Sequence, residues 1–439
     1  MSAVLKAFSF VLLLAVPISA PAAPDNLTQS VTYNGETITM QLTRQDLRGD
    51  HFEVLIQNSS GGFDPYVPVD DRAYIGTVDE RPDAISFGVL LDNGQLQGGV
   101  TFDRGVTWFT LDDQVYEAKA LGYARDQFWD YKWSTSPVII SPPADLNMQG
   151  FDVGLDLAWG YYSSRAGYDV ARALEMAEVS VNNTRAAYMR DGLVRPYLAR
   201  IIIRTSQAHD PHEADLSVAS DWKANHTDAE RDMVARAKVG GGGVARNSCI
   251  GGSGCTSKNH AQSNGMFHGL WQHEGGHNWS LGHAVGGKPE GGAIMSTSVS
   301  RYSGAELYKL HGHRASRVNG VLDNEGIYAA VDIPPYAAYD AVQAQVGTQV
   351  FIDVLANDFD ANGDAISLTG NFDNISDQGG SISLSTGTGP GGRDELIYNP
   401  PAGAGEDGFN YEIMDASGQW ATGRVQIQIV SETGNPTPD

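Results

Sequence analysis

Apolar and polar residues alternate along the first third of the chain in short stretches that turn residues separate. Two such stretches flank Asn34 and Gly35, and Asn-Gly is typical of the two-residue turn of an antiparallel hairpin. Further stretches between residues 85 and 111 continue the alternation and predict a meander of strands. We therefore predict a β-rich domain over residues 23–145, which ends at a pair of prolines because adjacent prolines cannot continue a helix or a central strand.

The spacing of apolar residues changes in the middle of the chain. Residues 151–158 and 199–205 are apolar enough for buried strands. Between them, residues 169–190 place apolar side chains at intervals close to the helical period, and residues 264–280 predict a second helix. A strand, a long helix and a strand are typical of an α/β unit. We therefore predict an α/β domain over residues 146–332.

The last part of the chain returns to short apolar stretches between Gly, Asp and Asn turns. We predict a third, β-rich domain over residues 336–431. Residues 432–439 carry no apolar pattern, so we expect a loose tail there. The predicted fold class is multidomain, with an α/β domain between two β-rich domains.

The first 22 residues have the composition of a secretory signal peptide. Lys6 supplies a positive charge, residues 8–16 are apolar, and the small residues Ala20 and Ala22 mark the expected cleavage site. The apolar stretch is too short to span a bilayer, and no later segment is long enough. We therefore expect residues 1–22 to be removed and the protein to be secreted, with no membrane span.

A formal charge of −24 argues against two classes of partner. Nucleic acid and anionic membranes both attract a basic protein surface, so we expect neither to bind. The chain contains two cysteines, Cys249 and Cys255. Two cysteines in an exported protein most simply pair, so we predict a disulfide bond between them; two free buried thiols are the alternative.

The segment His273-Glu274-Gly275-Gly276-His277 carries the candidate chemistry. Residues four apart lie on one face of a helix, so both imidazoles can reach one ion, while Glu274 lies beside it as a candidate general base. A third histidine, His283, follows six residues later and can complete a three-histidine site after a turn. Zinc suits three imidazoles and leaves one position open for water.

These residues resemble the extended zinc signature of the metzincin proteases, and the segment 291–296 resembles their Met-turn. By that resemblance, Met295 lies under the zinc as a packing support and is not a ligand. Residues 243–249 are similar to the substrate-lining edge strand of the adamalysin (reprolysin) branch and the cysteine after it. Residues 74–78 and 94–100 resemble the propeptide of the same branch.

The resemblance implies a secreted zinc metalloendopeptidase made as a zymogen. Residues 23–145 would form a propeptide-like domain, and residues 146–332 would form the α/β catalytic domain. Glu274 would accept a proton from the attacking water, and an extended protein or peptide substrate would pair with the strand edge at residues 242–247.

Two positions depart from the family pattern. Ser280 stands where the family has a glycine at the end of the helix, so we expect the turn to shift towards Gly282. No cysteine occurs between residues 24 and 145, so the family's thiolate latency switch cannot operate.

The third domain resembles bacterial cadherin-like, Ig-type repeats in the segments 354–358, 398–400 and 408–411. The resemblance implies a β-sandwich that binds insoluble substrate or a cell surface. Four oxygen-bearing residues around a glycine turn are candidate calcium ligands, although a plain acidic turn is the alternative: Asp358, Asp360, Asn362 and Asp364.

Two rival interpretations remain open. In a different class of zinc peptidase, a downstream glutamate would be the third ligand, and Glu290, Glu306 and Glu325 are available. Alternatively, the chain is a non-catalytic surface adhesin with a decayed protease core. The presence of Glu274 and all three histidines speaks against such decay.

Overall fold

A computed structural model describes residues 23–33, 35–103, 107–111, 114–118, 143–210, 217–240, 242–261, 265–282, 295, 301–302 and 304–431. Over these residues the protein is multidomain and rich in β-structure, with few helices. None of the helices in these ranges is both long and apolar enough to cross a bilayer.

The first sheet is antiparallel and has the strand order β1-β2-β5-β6-β7-β8-β9. The predicted hairpin is confirmed, because Tyr33 pairs with Glu36 and Gly35 has a φ of 85°; Asn34 lies outside the described residues. The predicted meander corresponds to the antiparallel strands β6, β7 and β8. The strands of the N-terminal region are β1 (Asn26–Tyr33), β2 (Glu36–Arg44), β3 (Arg48–Gln57), β4 (Phe63–Tyr66), β5 (Ala73–Val78), β6 (Ala84–Leu90), β7 (Leu96–Phe102), β8 (Thr107–Leu111) and β9 (Gln114–Ala118).

The second sheet is mixed and has the order β13-β14-β12-β10-β11-β3-β4, with β15 beside β10. Parallel pairing joins β14, β12, β10, β11 and β3. The strands and helices of this region are β10 (Asn147–Leu157), α1 (Trp159–Ser164), α2 (Val170–Arg190), β11 (Val194–Ile203), α3 (Val218–Asn225), β12 (Met233–Lys238), β13 (Val244–Ala245), β14 (Thr256–His260), α4 (His268–Asn278), α5 (Gly304–Ala315) and β15 (Asp323–Ile327).

Helix α2 connects the parallel strands β10 and β11, as the spacing of apolar residues predicted. Asp169 is its N-cap, and the side-chain carboxylate accepts a hydrogen bond from the backbone N–H of Arg172 at 3.1 Å. Such a cap satisfies one of the free N–H groups at the start of a helix. The predicted strand–helix–strand unit is therefore present.

Strands β3 and β4 belong to the second sheet, so this sheet extends across the predicted boundary at residues 145/146. Strand β3 pairs in parallel with β11, so that Val54 lies opposite Ile201. Its partner lies more than a hundred residues further along the chain, and an apolar run alone does not reveal a partner at that distance.

The first sheet packs against helix α2 and shares its apolar core. Ile75 and Phe87 belong to the same buried cluster as Ala177 and Val181 of α2. The buried amide of Asn182 donates to the backbone carbonyls of two strands of the first sheet, at 3.0 and 2.9 Å. The N-terminal region and the second sheet therefore form one folded unit.

An acidic cleft of about 450 Å³ opens where β3, β10 and β15 meet. Burial, with the Glu230 carboxylate nearby, raises the pKa of Asp152 to about 6. Burial, with the Asp152 carboxylate next to it, raises the pKa of Asp232 to about 7. The two residues are linked by a hydrogen bond of 2.9 Å from the backbone N–H of Asp152 to Oδ2 of Asp232.

The C-terminal domain consists of two sheets around a second apolar core, with the strand orders β16-β22-β21-β18 and β17-β20-β19. Its strands are β16 (Tyr339–Gln345), β17 (Val350–Ile352), β18 (Ser367–Phe372), β19 (Ser381–Ser385), β20 (Glu395–Asn399), β21 (Gly405–Met414) and β22 (Trp420–Val430).

Buried polar contacts join the C-terminal domain to the rest of the protein. Arg301 forms an ion pair with Asp103 of the first sheet and donates to the carbonyl of Ala337 at 3.0 Å. The second oxygen of Asp103 accepts a hydrogen bond from the backbone N–H of Thr422 at 2.9 Å. The ring of Phe359 packs against His311 of α5, with centroids 5.7 Å apart. The C-terminal domain is therefore docked and not loosely tethered.

Candidate metal centre

Helix α4 carries His273, Glu274 and His277 and packs against α2, β13 and β14. The rings of His273 and His277 have centroids 5.0 Å apart and stand at 90° to each other. The two imidazoles therefore lie together on one side of the helix, as the four-residue spacing predicts. His283, the third predicted ligand, lies outside the described residues.

A backbone carbonyl orients the ring of His277. Nδ1 of His277 lies 2.7 Å from the carbonyl oxygen of Leu281. A carbonyl oxygen only accepts, so Nδ1 carries the hydrogen and Nε2 keeps its lone pair. This is the tautomer that a metal-binding histidine needs, and a second hydrogen bond of this kind is usual at metal sites. Sequence analysis did not identify Leu281, because a backbone acceptor leaves no mark in the residue type.

Glu274 has little exposure to solvent. Its side chain is buried, and Oε2 has no hydrogen-bond partner among the described residues. Burial raises the pKa of Glu274 to about 7, and the Lys258 ammonium opposes this rise. A carboxyl group with such a pKa can both take up and release a proton near neutral pH.

The edge strand β13 lies directly over Glu274. A Cβ atom at Gly243 would lie 2.1 Å from Oε1 of Glu274, so a larger residue here would displace the Glu274 carboxylate. Strand β13 pairs antiparallel with β14 and forms the edge of the second sheet, where Val244 is exposed. The strand edge predicted to pair with substrate therefore passes beside the candidate base.

Met295 lies beneath helix α4 and is buried. A Cβ atom at Gly276 would lie 2.5 Å from Sδ of Met295, so glycine lets the helix rest on this sulfur. The backbone N–H of Met295 donates to Oε1 of Glu306 at 3.2 Å. The position is that of a packing support next to the histidine pair.

The end of helix α4 differs from the expected shifted turn. Ser280 itself has a φ of 82°, and Gly282 has no positive φ. The backbone N–H groups of Ser280 and Leu281 donate to the carbonyls of His277 and Gly276, both at 3.0 Å. This is the Schellman arrangement, which ends helices through a left-handed residue. The turn therefore stays in place, and a serine takes the conformation usually given to glycine.

The predicted disulfide joins Cys249 and Cys255, whose Cα atoms are 5.0 Å apart. The backbone N–H groups of Ser248 and Cys249 donate to the carbonyls of His277 and Asn278, at 2.9 and 3.0 Å. These contacts therefore give the His277 carbonyl a second donor and satisfy the Asn278 carbonyl, which the helix end would otherwise leave free.

Two of the three candidate glutamates of the rival zinc class are engaged elsewhere. Glu306 accepts from Met295, and Glu325 forms an ion pair with Arg195 at 3.1 Å. Within the described ranges, no group of three His, Cys, Asp or Glu side chains is placed to hold a metal. A third protein ligand for His273 and His277 would have to come from outside those ranges, where His283 and Glu290 both lie. The two imidazoles are ligands that zinc accepts, and the tautomer of His277 leaves Nε2 to bind it.

Three of the four candidate calcium ligands have other partners among the described residues. Oδ1 of Asp358 accepts from the backbone N–H of Ala338 at 2.6 Å. The amide of Asn362 holds residues 328–333 through three hydrogen bonds. Oδ1 of Asp360 accepts from the backbone N–H groups of Asn362 and Asp364. The calcium hypothesis stays a prediction.

Comparison with known proteins identifies the C-terminal domain. The family described as "Bacterial Ig domain" matches residues 332–428. This part of the chain is therefore a bacterial Ig-like domain, as its β-rich pattern and Ig-type motifs predicted. No curated protein matches the chain.

Two solved structures share limited similarity with the chain. A nucleoside hydrolase-related hypothetical protein from Saccharophagus degradans, described as associated with carbohydrate metabolism, is 19% identical over 23% of this chain and 26% of that one, with a TM-score of 0.18. A structure described as a chaperone–substrate complex is 16% identical over 51% of this chain and 40% of that one, with a TM-score of 0.30. TM-scores this low support no conclusion on fold or function.

Proposed function

We propose that the protein is a secreted zinc metalloendopeptidase of the metzincin type that resembles the adamalysin branch. The observation that carries the proposal is the arrangement on helix α4. It combines two adjacent imidazoles, one of which is held in a metal-binding tautomer, with a buried Glu274 that has an unsatisfied oxygen.

In this proposal, His273, His277 and His283 hold the zinc ion. A zinc ion held there would lower the pKa of a bound water and polarise a peptide carbonyl. Glu274 accepts the proton of the attacking water and passes it to the leaving amine. Strand β13 pairs with an extended substrate and orients it beside Glu274.

Replacement of the base tests the proposal. Glu274→Ala should bind one zinc ion per chain, as we expect of the native protein. Its rate of casein cleavage should fall by about a thousandfold or more. Lys309→Ala, at an exposed position of α5, is the matched control and should keep full activity. Full activity of Glu274→Ala would remove the mechanism.

Replacement of the third ligand separates the two zinc classes. His283→Ala should lose zinc, because two imidazoles alone hold the ion weakly. Zinc retention by His283→Ala and zinc loss in Glu290→Ala would favour the rival class with a glutamate ligand.

The N-terminal region has a structural role that the resemblance to a propeptide did not suggest. Because β3 and β4 complete the second sheet, we propose that residues 23–118 stay with the catalytic region in the working enzyme. Mass spectrometry of the protein from culture medium would reveal a chain that begins near residue 23. A chain that begins near residue 145 would contradict this and restore the zymogen interpretation.

A second candidate function is a non-catalytic surface adhesin, which the match to the bacterial Ig domain favours. The same casein assay, with and without a chelator, decides between the two. Binding to cells or insoluble polymer in the absence of any chelator-sensitive cleavage would support the adhesin. Calcium titration of the same sample would test the proposed ligands in the C-terminal domain.

A further inference from the structure

The loop of residues 246–256 joins β13 to β14 and lies against the end of helix α4. Its base is closed by a hydrogen bond of 3.0 Å from the backbone N–H of Arg246 to the carbonyl of Thr256. The Cys249–Cys255 disulfide is a second link between the two sides of the loop. We call residues 246–256 the disulfide loop.

Asn278, the last residue of α4, is fully buried between the two sides of this loop. Its side-chain N–H groups donate to the carbonyl of Arg246 at 2.8 Å and to the carbonyl of Thr256 at 3.0 Å, and they lie 3.2 Å from Sγ of Cys249. One amide therefore contacts both sides of the loop and the disulfide.

The contacts also run from the loop back to the helix. The backbone N–H groups of Ser248 and Cys249 donate to the carbonyls of His277 and Asn278. His277 belongs to the candidate metal centre, and the same loop continues into Gly243 and β13 over Glu274. The loop therefore touches the histidine helix and the substrate-side strand together.

We propose that the disulfide loop is a redox-sensitive clamp on helix α4, that Asn278 is its positioning residue, and that breaking the Cys249–Cys255 bond weakens metal binding at His273 and His277. The inference rests on the proposed function and names how the same site is regulated. Breaking the disulfide lets the backbone at Ser248 and Cys249 adopt many more conformations. The N–H groups of these residues then donate to the carbonyls at the end of α4 for less of the time.

The chemical step is a two-electron reduction. Cys249 is half-buried and the loop residues around it are exposed, so a reductant can reach its sulfur, whereas Cys255 is buried. A phosphine attacks Sγ of Cys249 and the S–S bond breaks. Water then supplies the oxygen and the protons, so the products are two thiols and one phosphine oxide.

The experiment measures zinc affinity of the full chain by competition with a chromophoric chelator, in the oxidised protein, after phosphine treatment, and in Cys249→Ser/Cys255→Ser. We expect zinc to bind about ten- to hundredfold more weakly in the last two samples, the range found when supports of metal ligands are removed. The double variant should not respond to the phosphine, which controls for direct effects of the reductant, and it has no thiols that could bind zinc themselves.

Asn278→Ala should weaken zinc binding to a similar degree without any reductant, because it removes both donors to the loop. Gly269→Ala is the matched control on the same helix, since a Cβ atom there meets open space. It should bind zinc as the native protein does.

Hydrogen exchange supplies a readout that needs no metal. Peptides that cover residues 246–256 and 272–282 should exchange faster after reduction, because the N–H groups of Ser248 and Cys249 lose their acceptors for part of the time. Unchanged zinc affinity and unchanged exchange in the reduced native protein would overturn the clamp. Absence of zinc binding by the oxidised protein would instead overturn the proposed function, and hydrogen exchange would still decide whether the disulfide clamps the helix.

Discussion

At the scale of single residues, Ser280 keeps the helix end in place although it has a side chain. A non-glycine residue in the left-handed region costs about 1–2 kcal/mol, because its Cβ approaches the following carbonyl. Ser280 recovers part of this cost through a hydrogen bond of 2.9 Å between its hydroxyl and that of Ser248. The network around α4 therefore holds a strained residue at the turn that leads to His283.

Ser280→Gly should raise the free energy of unfolding by about 0.5–1 kcal/mol, because glycine adopts a φ of 82° without strain. Urea denaturation of the full chain measures the change. Gly269→Ala, which alters the same helix without a positive φ, controls for helix propensity. A lower stability of Ser280→Gly would mean that the hydroxyl pair with Ser248 outweighs the strain.

Asp232 makes stability depend on pH. Its carboxyl group has a pKa of about 7 in the folded protein and an ordinary pKa near 4 when unfolded, so the unfolded state releases its proton first as the pH rises. The stability that this group contributes is therefore fully present below about pH 4 and is lost as the pH rises towards 7. Asp232→Asn should remove this loss.

Asp232→Asn should have a free energy of unfolding about 1–2 kcal/mol higher than that of the native protein at pH 8 and nearly equal to it at pH 4. Denaturation at both pH values measures the difference. Asp50→Asn removes an equal charge from an exposed side chain of the same cleft and should change little at either pH. A similar gain in both variants would assign the effect to net charge and not to burial.

At the scale of secondary-structure elements, local patterns were predictable and long-range pairings were not. Helix α2 was predicted closely, because the spacing of its apolar residues is a local feature. The position of β3 beside β11 was not predictable, since parallel partners come from distant parts of the chain. In the candidate site, the sequence indicated His273, Glu274 and His277, whereas the roles of Leu281 and Gly243 depend on backbone positions that only the fold defines.

Substitution of Val54 tests whether β3 remains part of the mature protein. Val54→Ala removes two buried methyl groups from the shared core and should lower the free energy of unfolding by about 2 kcal/mol. Val67→Ala makes the same change at a side chain that is 90% exposed and should have no measurable effect. Equal stability of both variants in protein purified from culture medium would indicate that β3 is absent from it.

At the scale of the whole molecule, the buried ion pair of Arg301 and Asp103 connects the first sheet to the C-terminal domain. The sequence suggested a third domain that is separate from the α/β domain. The structure gives a different expectation, because Tyr336 and Phe359 of this domain belong to the main apolar core. Deletion of residues 332–431 should expose that core and destabilise the remaining chain.

Arg301→Leu should lower the free energy of unfolding by about 3–5 kcal/mol, because it leaves the Asp103 carboxylate buried without a counter-charge. Adding Asp103→Asn should restore much of this loss, since asparagine can still accept from the N–H of Thr422. Denaturation of the two single variants and the double variant measures the coupling. Additive losses in the double variant would show that the two side chains act independently.

If the protein is the proposed peptidase and its docked C-terminal domain attaches it to a surface, the rigid attachment has a geometric consequence. An enzyme that is joined to its anchor by a flexible linker can reach every peptide bond within the length of that linker. An enzyme that is joined rigidly to its anchor holds its active-site cleft at a fixed height and angle above the surface. Such a protein would cut peptide bonds at one distance from the attachment point. It would spare equally susceptible bonds that lie nearer to that point or farther from it.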